Sequence, residues 1–216
     1  MVHDLSNFPG VHQVFLSELR DIKLQKNREA FRQNMEKLGK ILAYEISKTL
    51  PAIHNKVETP LGEAIHRVPA DNPVLCCVLR AGLPFFNGFQ HFFPNSDSGF
   101  IGAYRGKSRA DHSFDIELDY MAMPPSEGRA LLLIDPMLAT GKSIVKAATA
   151  ISAQGKPSSI IIASLIASPE GIAYVKAQLP DAAVWTIACD EGLNAHAYIL
   201  PGLGDAGDLS FGLKTS

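Results

Sequence analysis

Cysteine is scarce in this chain: Cys76, Cys77 and Cys189 are the whole supply in 216 residues. Two of the three are neighbours in an apolar run, where alternating side chains point to opposite faces of a strand. A disulfide framework is therefore not expected, which fits a reducing cytoplasm. The seven histidines are scattered along the chain, and no cysteine or histidine has metal-ligand spacing. A zinc site is not expected. No apolar run approaches the eighteen or so residues of a membrane span. The start, Met1-Val2-His3-Asp4, lacks a basic-then-apolar signal pattern. Charge of one sign is also missing. Twenty Lys and Arg against 22 Asp and Glu leave a formal net charge of −2, so nothing global favours nucleic acid. Internal repeats and low-complexity segments are absent. Hydrophobic residues make up 46% and charged residues 19%, enough apolar material to build a core and too much for disorder.

One further absence decides how a conspicuous motif is read. Gly141-Lys142-Ser143 looks like the end of a nucleoside-triphosphatase P-loop. That motif needs a glycine five positions before its second glycine. Pro136 stands there, with no N–H and a fixed φ.

What is present is an alternation of strand-like and helix-like runs. Phe31, Met35, Leu38, Leu42 and Ile46 repeat at three- and four-residue steps and predict one long amphipathic helix over 28–50, for core or subunit packing. Prolines 51, 60, 69 and 73 then punctuate a connecting region. Strands are expected at Val74–Leu79, Gly99–Ala103, Leu131–Asp135, Ser159–Ala167 and Ala183–Ala188, with helices at Leu83–Phe93 and Gly141–Gln154. Ser168-Pro169-Glu170 is a helix start: a capping serine, proline at the first position and an acid in the first turn. Residues 105–119 are too polar for a core element. Alternation of this kind predicts a single α/β domain with a mainly parallel sheet flanked by helices. Ligands then sit beyond the carboxyl ends of the strands.

Residues 131–143, Leu-Leu-Leu-Ile-Asp-Pro-Met-Leu-Ala-Thr-Gly-Lys-Ser, place a loop of small residues at such an end. Free backbone N–H groups, the Thr140 and Ser143 hydroxyls and a helix N-terminus together attract phosphate. Asp135 would repel that phosphate and suits sugar hydroxyls, a cationic transition state or a metal. A helix-capping acid is its plainer reading.

This segment resembles the ribose-5-phosphate loop of type I phosphoribosyltransferases, in the form with Pro after Asp that uracil phosphoribosyltransferases carry. The stretch 190–208, Asp-Glu-Gly-Leu-Asn-Ala-His-Ala-Tyr-Ile-Leu-Pro-Gly-Leu-Gly-Asp-Ala-Gly-Asp, resembles that family's uracil-binding segment. The resemblance is good over about 74–212 and weak before it. It implies an N-terminal helical region (1–70), an α/β core (74–190) and a C-terminal base-binding hood (191–216), with a flap over 106–119. It implies transfer of a phosphoribosyl group from 5-phosphoribosyl diphosphate to uracil, with magnesium carried on the diphosphate. Ala139, Thr140, Gly141, Lys142 and Ser143 would hold the 5′-phosphate, Pro136, Met137 and Leu138 would complete the 5-phosphoribosyl diphosphate site, and Asp135 would stand beside the ribose hydroxyls. Arg80 and Arg105 would hold the diphosphate, and the Arg80 loop often carries a non-proline cis peptide in relatives. Ile199, Gly204, Asp205 and Ala206 would contact uracil, with Asp205 also near the diphosphate and the least unsuitable candidate for a base. Lys142 departs from the small residue usual in the family, and Lys107 and Arg109 stand where two acids are usual in the flap. The same fold could serve a nucleotide-sensing RNA-binding regulator or an enzyme for another base. The first wants a basic face, and purine relatives usually carry a second acid at the place of Pro136. A homodimer or higher homo-oligomer in the cytoplasm is the expected state.

Overall fold

The structure, a computed structural model, describes residues 1–108 and 114–214; for 103–108 and 114–117 the backbone alone is described. A short strand β1 (Val2–Asp4) is followed by helix α1 (Val11–Arg20). Neither stands out in the periodicity. β1 has three residues, and α1 exposes Val11 and Val14 while burying Leu16 and Leu19. Helix α2 (Arg28–Ser47) begins at Asn27, whose side-chain oxygen accepts the N–H groups of Glu29 and Ala30. Its expected face is buried throughout: Phe31, Met35, Leu38, Leu42 and Ile46 join the core of their own chain. That stripe is filled from within its own chain.

The proline-punctuated region is not a mere connection. Where the sequence suggested a connecting region, the chain forms the hairpin of β2 (Ala52–Thr59) and β3 (Gly62–Pro69), so the N-terminal region is helix plus hairpin. Pro60-Leu61-Gly62 makes the turn, with Gly62 at φ 150°. Every residue of β2 is exposed, so no burial period marks the hairpin in the sequence.

Strand β4 (Val74–Leu79) leads into α3 (Gly82–Phe92). Cys76 and Cys77 lie on opposite faces of the sheet, each in a different apolar cluster. Strands β5 (Ser98–Ser108) and β6 (Phe114–Ala122) pair antiparallel, Arg105 opposite Ile116 and Ser108 opposite Phe114. The polar stretch 105–119 therefore contains sheet. Phe114, Ile116, Leu118 and Tyr120 alternate there with Asp115, Glu117 and Asp119, a two-residue period that charge concealed. Flap positions 109–113 lie outside the described residues.

Then follow β7 (Ala130–Ile134), β8 (Met137–Leu138), α4 (Lys142–Ser152), β9 (Ser159–Ala167), α5 (Pro169–Gln178) and β10 (Ala183–Cys189). The C-terminal segment adds β11 (Gly192–Leu193), β12 (Ile199–Leu200) and the short helix α6 (Ala206–Phe211). The main sheet runs β1-β10-β9-β7-β4-β5-β6, with β8 also on β9, and every pairing except β5–β6 is parallel. Strand β7 shows how it is filled: Leu132 and Ile134 face the cluster with α2 and α3, Leu131 and Leu133 the one with α4 and α5. Parallel pairing brings the ends of β4, β7, β9 and β10 to one edge, where the loops after them meet.

Helices α2 and α3 touch backbone to backbone. A methyl added at Gly88 would lie 2.6 Å from the Lys40 nitrogen and 2.7 Å from the Gly39 carbonyl carbon. Backbone on both sides leaves nothing that can yield. Gly88→Ala is expected to lower stability by about 1–3 kcal/mol through overpacking. Urea unfolding should show a lower midpoint with an unchanged slope. An unchanged midpoint would contradict this account of the α2–α3 contact.

Candidate active site at the carboxyl edge of the sheet

The loop after β7 is fixed from behind before it meets any ligand. Asp135 donates its N–H to the Ala163 carbonyl at 3.1 Å, and the Pro136 carbonyl accepts the Leu165 and Ile166 N–H groups at 3.1 and 3.0 Å. Asp135 Oδ1 accepts the Met137 N–H at 3.1 Å, a local turn rather than a cap on α4. The chain then runs as β8 along β9, in register with Ile166 and Ala167. At its far end Ser168 takes over. Its N–H donates to the Leu138 carbonyl at 3.0 Å and its hydroxyl to the Ala139 carbonyl at 2.7 Å. The same hydroxyl accepts the Gly171 N–H at 2.9 Å, capping α5 as its sequence predicts. Gly141 turns the chain with φ 73° and stands at the cap of α4 without a side-chain hydrogen bond. A side chain there would also meet the Gly171 carbonyl at 2.8 Å. The helix N-terminus is thus presented with bare backbone donors and its partial positive charge.

Arg80 arrives from the end of β4 on a Leu79–Arg80 peptide that is cis, as the resemblance implied. Its guanidinium lies 3.1 Å from Asp208 Oδ1 and 3.4 Å from the Gly212 carbonyl. The C-terminal segment, expected as a base-binding hood, contains the short helix α6. Asp205 caps it, accepting the Asp208 N–H at 2.9 Å. Six residues, two of them glycine and serine, are too few to show a helical period. Gly207 lies against the Arg80 turn, where a methyl would sit 3.8 Å from the Ala81 Cβ. Before it, β11 and β12 form a small antiparallel hood tied to α5, with Leu193 donating its N–H to Glu170 at 3.2 Å.

Between these loops lies a cleft of ≈ 540 Å³. Arg80 and Asp135 line it, with Met137 to Gly141 and Ser143 on the phosphate-loop side and Gly204, Asp205 and Ala206 on the hood side. Three of the expected residues do not line it. Pro136 is buried and works through its carbonyl, Lys142 begins α4 outside the wall, and Ile199 is 4% exposed within the core. The Arg105 side chain lies outside the described residues. Tyr198, Gly207 and Lys214 also line the cleft and were not singled out from the sequence. Tyr198 sits inside the hood motif and could have been found there. Lys214 follows the last glycine with no pattern to mark it.

Asp135 opens on this cleft, yet the protein packed around its carboxyl removes most of its water. Burial pushes it from 3.8 up to about 7, against the smaller opposing pull of the Met137 N–H. Burial first, then Cys76 and Asp135, push the nearby Cys77 thiol up, so it is no nucleophile at neutral pH. The arrangement offers an anion-binding helix end, an acid poised to ionise beside a cation, a guanidinium, and an uncharged glycine-rich wall. This suits a phosphorylated sugar facing a flat polar ring.

The family model described as uracil phosphoribosyltransferase matches residues 10–213. A uracil phosphoribosyltransferase of Porphyromonas gingivalis is 45% identical over 201 residues, covering 93% of each chain. One of Thermococcus gammatolerans is 37% identical over 216 residues, covering 98% of this chain and 93% of the relative. Among solved structures, the AQ2163 protein from Aquifex aeolicus matches the whole of both chains with a TM-score of 0.87 at 27% identity.

The raised Asp135 has a consequence for the ligand-free protein. The unfolded chain ionises this acid near its ordinary value while the folded chain keeps the proton to about 7. The stabilising contribution is therefore present below about pH 4 and lost as pH rises through about 7. Denaturant midpoints across this range should fall for the native chain relative to Asp135→Asn. Parallel curves for the two proteins would contradict the buried acid.

Proposed function

The chain belongs to the uracil phosphoribosyltransferase family, and we propose that this cleft is where it transfers the phosphoribosyl group of 5-phosphoribosyl diphosphate to uracil, giving uridine 5′-monophosphate and diphosphate. One observation carries the assignment of parts. The phosphate-loop end of α4, Asp135, Arg80 and the Gly204–Ala206 wall line a single cleft.

The 5′-phosphate goes to the backbone donors and hydroxyls of Ala139–Ser143. The ribose hydroxyls then fall toward Asp135. Arg80, and Arg105 from β5, take the diphosphate. Arg80 exchanges its hold on Asp208 for the incoming anion, a charge-assisted contact of the stronger kind. Magnesium would come with the diphosphate and would supply positive charge that favours its departure. The carboxylate oxygens of Asp135 and Asp205, both on the cleft wall, are the hard donors that such a cation suits.

Uracil is read without charge. Its carbonyls and N–H groups meet backbone of Gly204–Ala206, where glycine lets the ring come close. The ring nitrogen N1 attacks the anomeric carbon as the bond to diphosphate breaks. That carbon passes through an oxocarbenium-like state, which a negative Asp135 stabilises. Asp135 is raised by burial in the ligand-free chain, and a cation held beside it would favour the ionised carboxylate that this role needs. The N1 proton leaves to Asp205 or to the departing diphosphate. Most of the acceleration is positioning and electrostatics. We place this work in the cytoplasm, where uracil salvage needs it; among the described residues no helix is long and apolar enough to cross a membrane.

Incubation with labelled uracil, 5-phosphoribosyl diphosphate and magnesium should yield the monophosphate, while adenine, guanine and hypoxanthine are left unconverted. Purine turnover equal to that of uracil would refute the base assignment. Arg80→Ala should lower kcat/KM for 5-phosphoribosyl diphosphate by the equivalent of about 2–4 kcal/mol, through the loss of a charge-assisted contact. Native kinetics in that variant would refute the placement of the diphosphate.

A further inference from the structure

Asp190 stands where β10 ends and the hood begins. Its N–H donates to the Ala167 carbonyl at 2.8 Å, which fixes its backbone to the sheet. Its side chain is only 4% exposed, and both carboxylate oxygens are engaged. Oδ1 lies 2.5 Å from Arg20 Nη2, and Oδ2 accepts the Gly202 N–H at 2.9 Å. The two partners come from opposite ends of the chain. Arg20 is the last residue of α1. Gly202 turns the chain out of β12 with φ 62°, in a bend so tight that a methyl there would strike the Ile199 carbonyl.

Neither Asp190 nor Arg20 lines the cleft. Gly202, however, is two residues from Gly204, where the uncharged wall starts. A buried carboxylate that grips this bend fixes where the wall lies relative to the sheet, and hence relative to the phosphate loop. The grip is stiff because the charge cannot turn to water. The carboxylate is closed off from solvent while Arg20 keeps 24% of its side chain exposed, and a buried carboxylate loses more on losing its partner than an exposed one. The guanidinium is committed as well: Arg20 Nε is buried with no hydrogen-bond partner among the described residues, so its alignment depends on Asp190.

We propose that Asp190, held by Arg20, is the positioning residue of the base-binding loop and sets the affinity for uracil without touching it. The proposal rests on the assignment of Gly204–Ala206 to uracil. On this account α1, which carries no residue of the cleft, acts on base recognition through one ion pair.

The test is steady-state kinetics with each substrate varied separately, alongside thermal unfolding. Asp190→Asn keeps the shape and removes the charge. It should raise KM for uracil by about tenfold, equivalent to roughly 1.4 kcal/mol, and leave KM for 5-phosphoribosyl diphosphate within about twofold. Arg20→Ala should do the same from the other side, Arg20→Lys should recover part of the loss, and the double variant should be no worse than Asp190→Asn alone, because both act through one bond. A general structural role would move both Michaelis constants together, and that result overturns the proposal. Gly204→Ala serves as the control in the loop itself. If it raises KM for uracil while Asp190→Asn does not, the base assignment stands and the positioning role falls. If neither variant moves KM for uracil, both fall.

Discussion

Ser168 joins two pieces of backbone that must not drift apart. Its hydroxyl donates to the Ala139 carbonyl and accepts the Gly171 N–H, so one side chain ties the back of the phosphate loop to the first turn of α5. The tie works only because Gly171 has no side chain. A methyl there would come 2.7 Å from the Leu138 carbonyl oxygen and 3.0 Å from the Ala139 carbonyl carbon. Gly141 meets the same surface from the loop side, close to the Gly171 carbonyl. The carbonyls of Pro136, Leu138 and Ala139 are turned back toward β9 and Ser168, which fixes the loop in front of the N-terminus of α4. An anion then binds to preorganised donors, with little reorganisation at the moment of binding.

Around that fixed point the charges are sorted. The cation Arg80 waits on Asp208 of α6, and the base wall of Gly204–Ala206 is continuous with that helix. On the proposed assignment, diphosphate and base sites share one short element, capped by Asp205. Asp135 lies opposite, kept protonated by burial to about 7 in the ligand-free state. On the proposed mechanism, a cation arriving with substrate would favour its charged form beside the sugar. Lys142, the departure from the usual small residue, begins α4 off the cleft wall, so the stretch Ala139–Ser143 faces the cleft with backbone and hydroxyls.

What was legible in the sequence divides by physical cause. Strands buried on both faces, such as Ser159–Ala167, announce themselves as continuous aliphatic runs and were placed to the residue. The same holds for α5, because a serine cap, a first-position proline and an acid in the first turn are local chemistry. The β2–β3 hairpin was missed because it buries almost nothing, and burial is what writes a period into a sequence. β6 was missed because its acids hid a two-residue alternation, and α6 because six residues cannot display a helical one. At the site, the phosphate loop was readable from contiguous residues. Ser168 behind Ala139, Asp190 beneath Gly202 and Lys214 at the rim are joined to it only by the fold, across separations that no local pattern records.

The central claim is that a braced backbone, rather than a charged side chain, holds the sugar phosphate. Calorimetric titration of 5-phosphoribosyl diphosphate with magnesium, without uracil, into the native chain and Gly171→Ala tests it most directly. Gly171 lies behind the loop, so the substitution pushes the backbone forward and removes no ligand contact. The account predicts affinity lower by about tenfold or more, at least roughly 1.4 kcal/mol, in a variant that still unfolds cooperatively. Native affinity in a folded Gly171→Ala protein would contradict it.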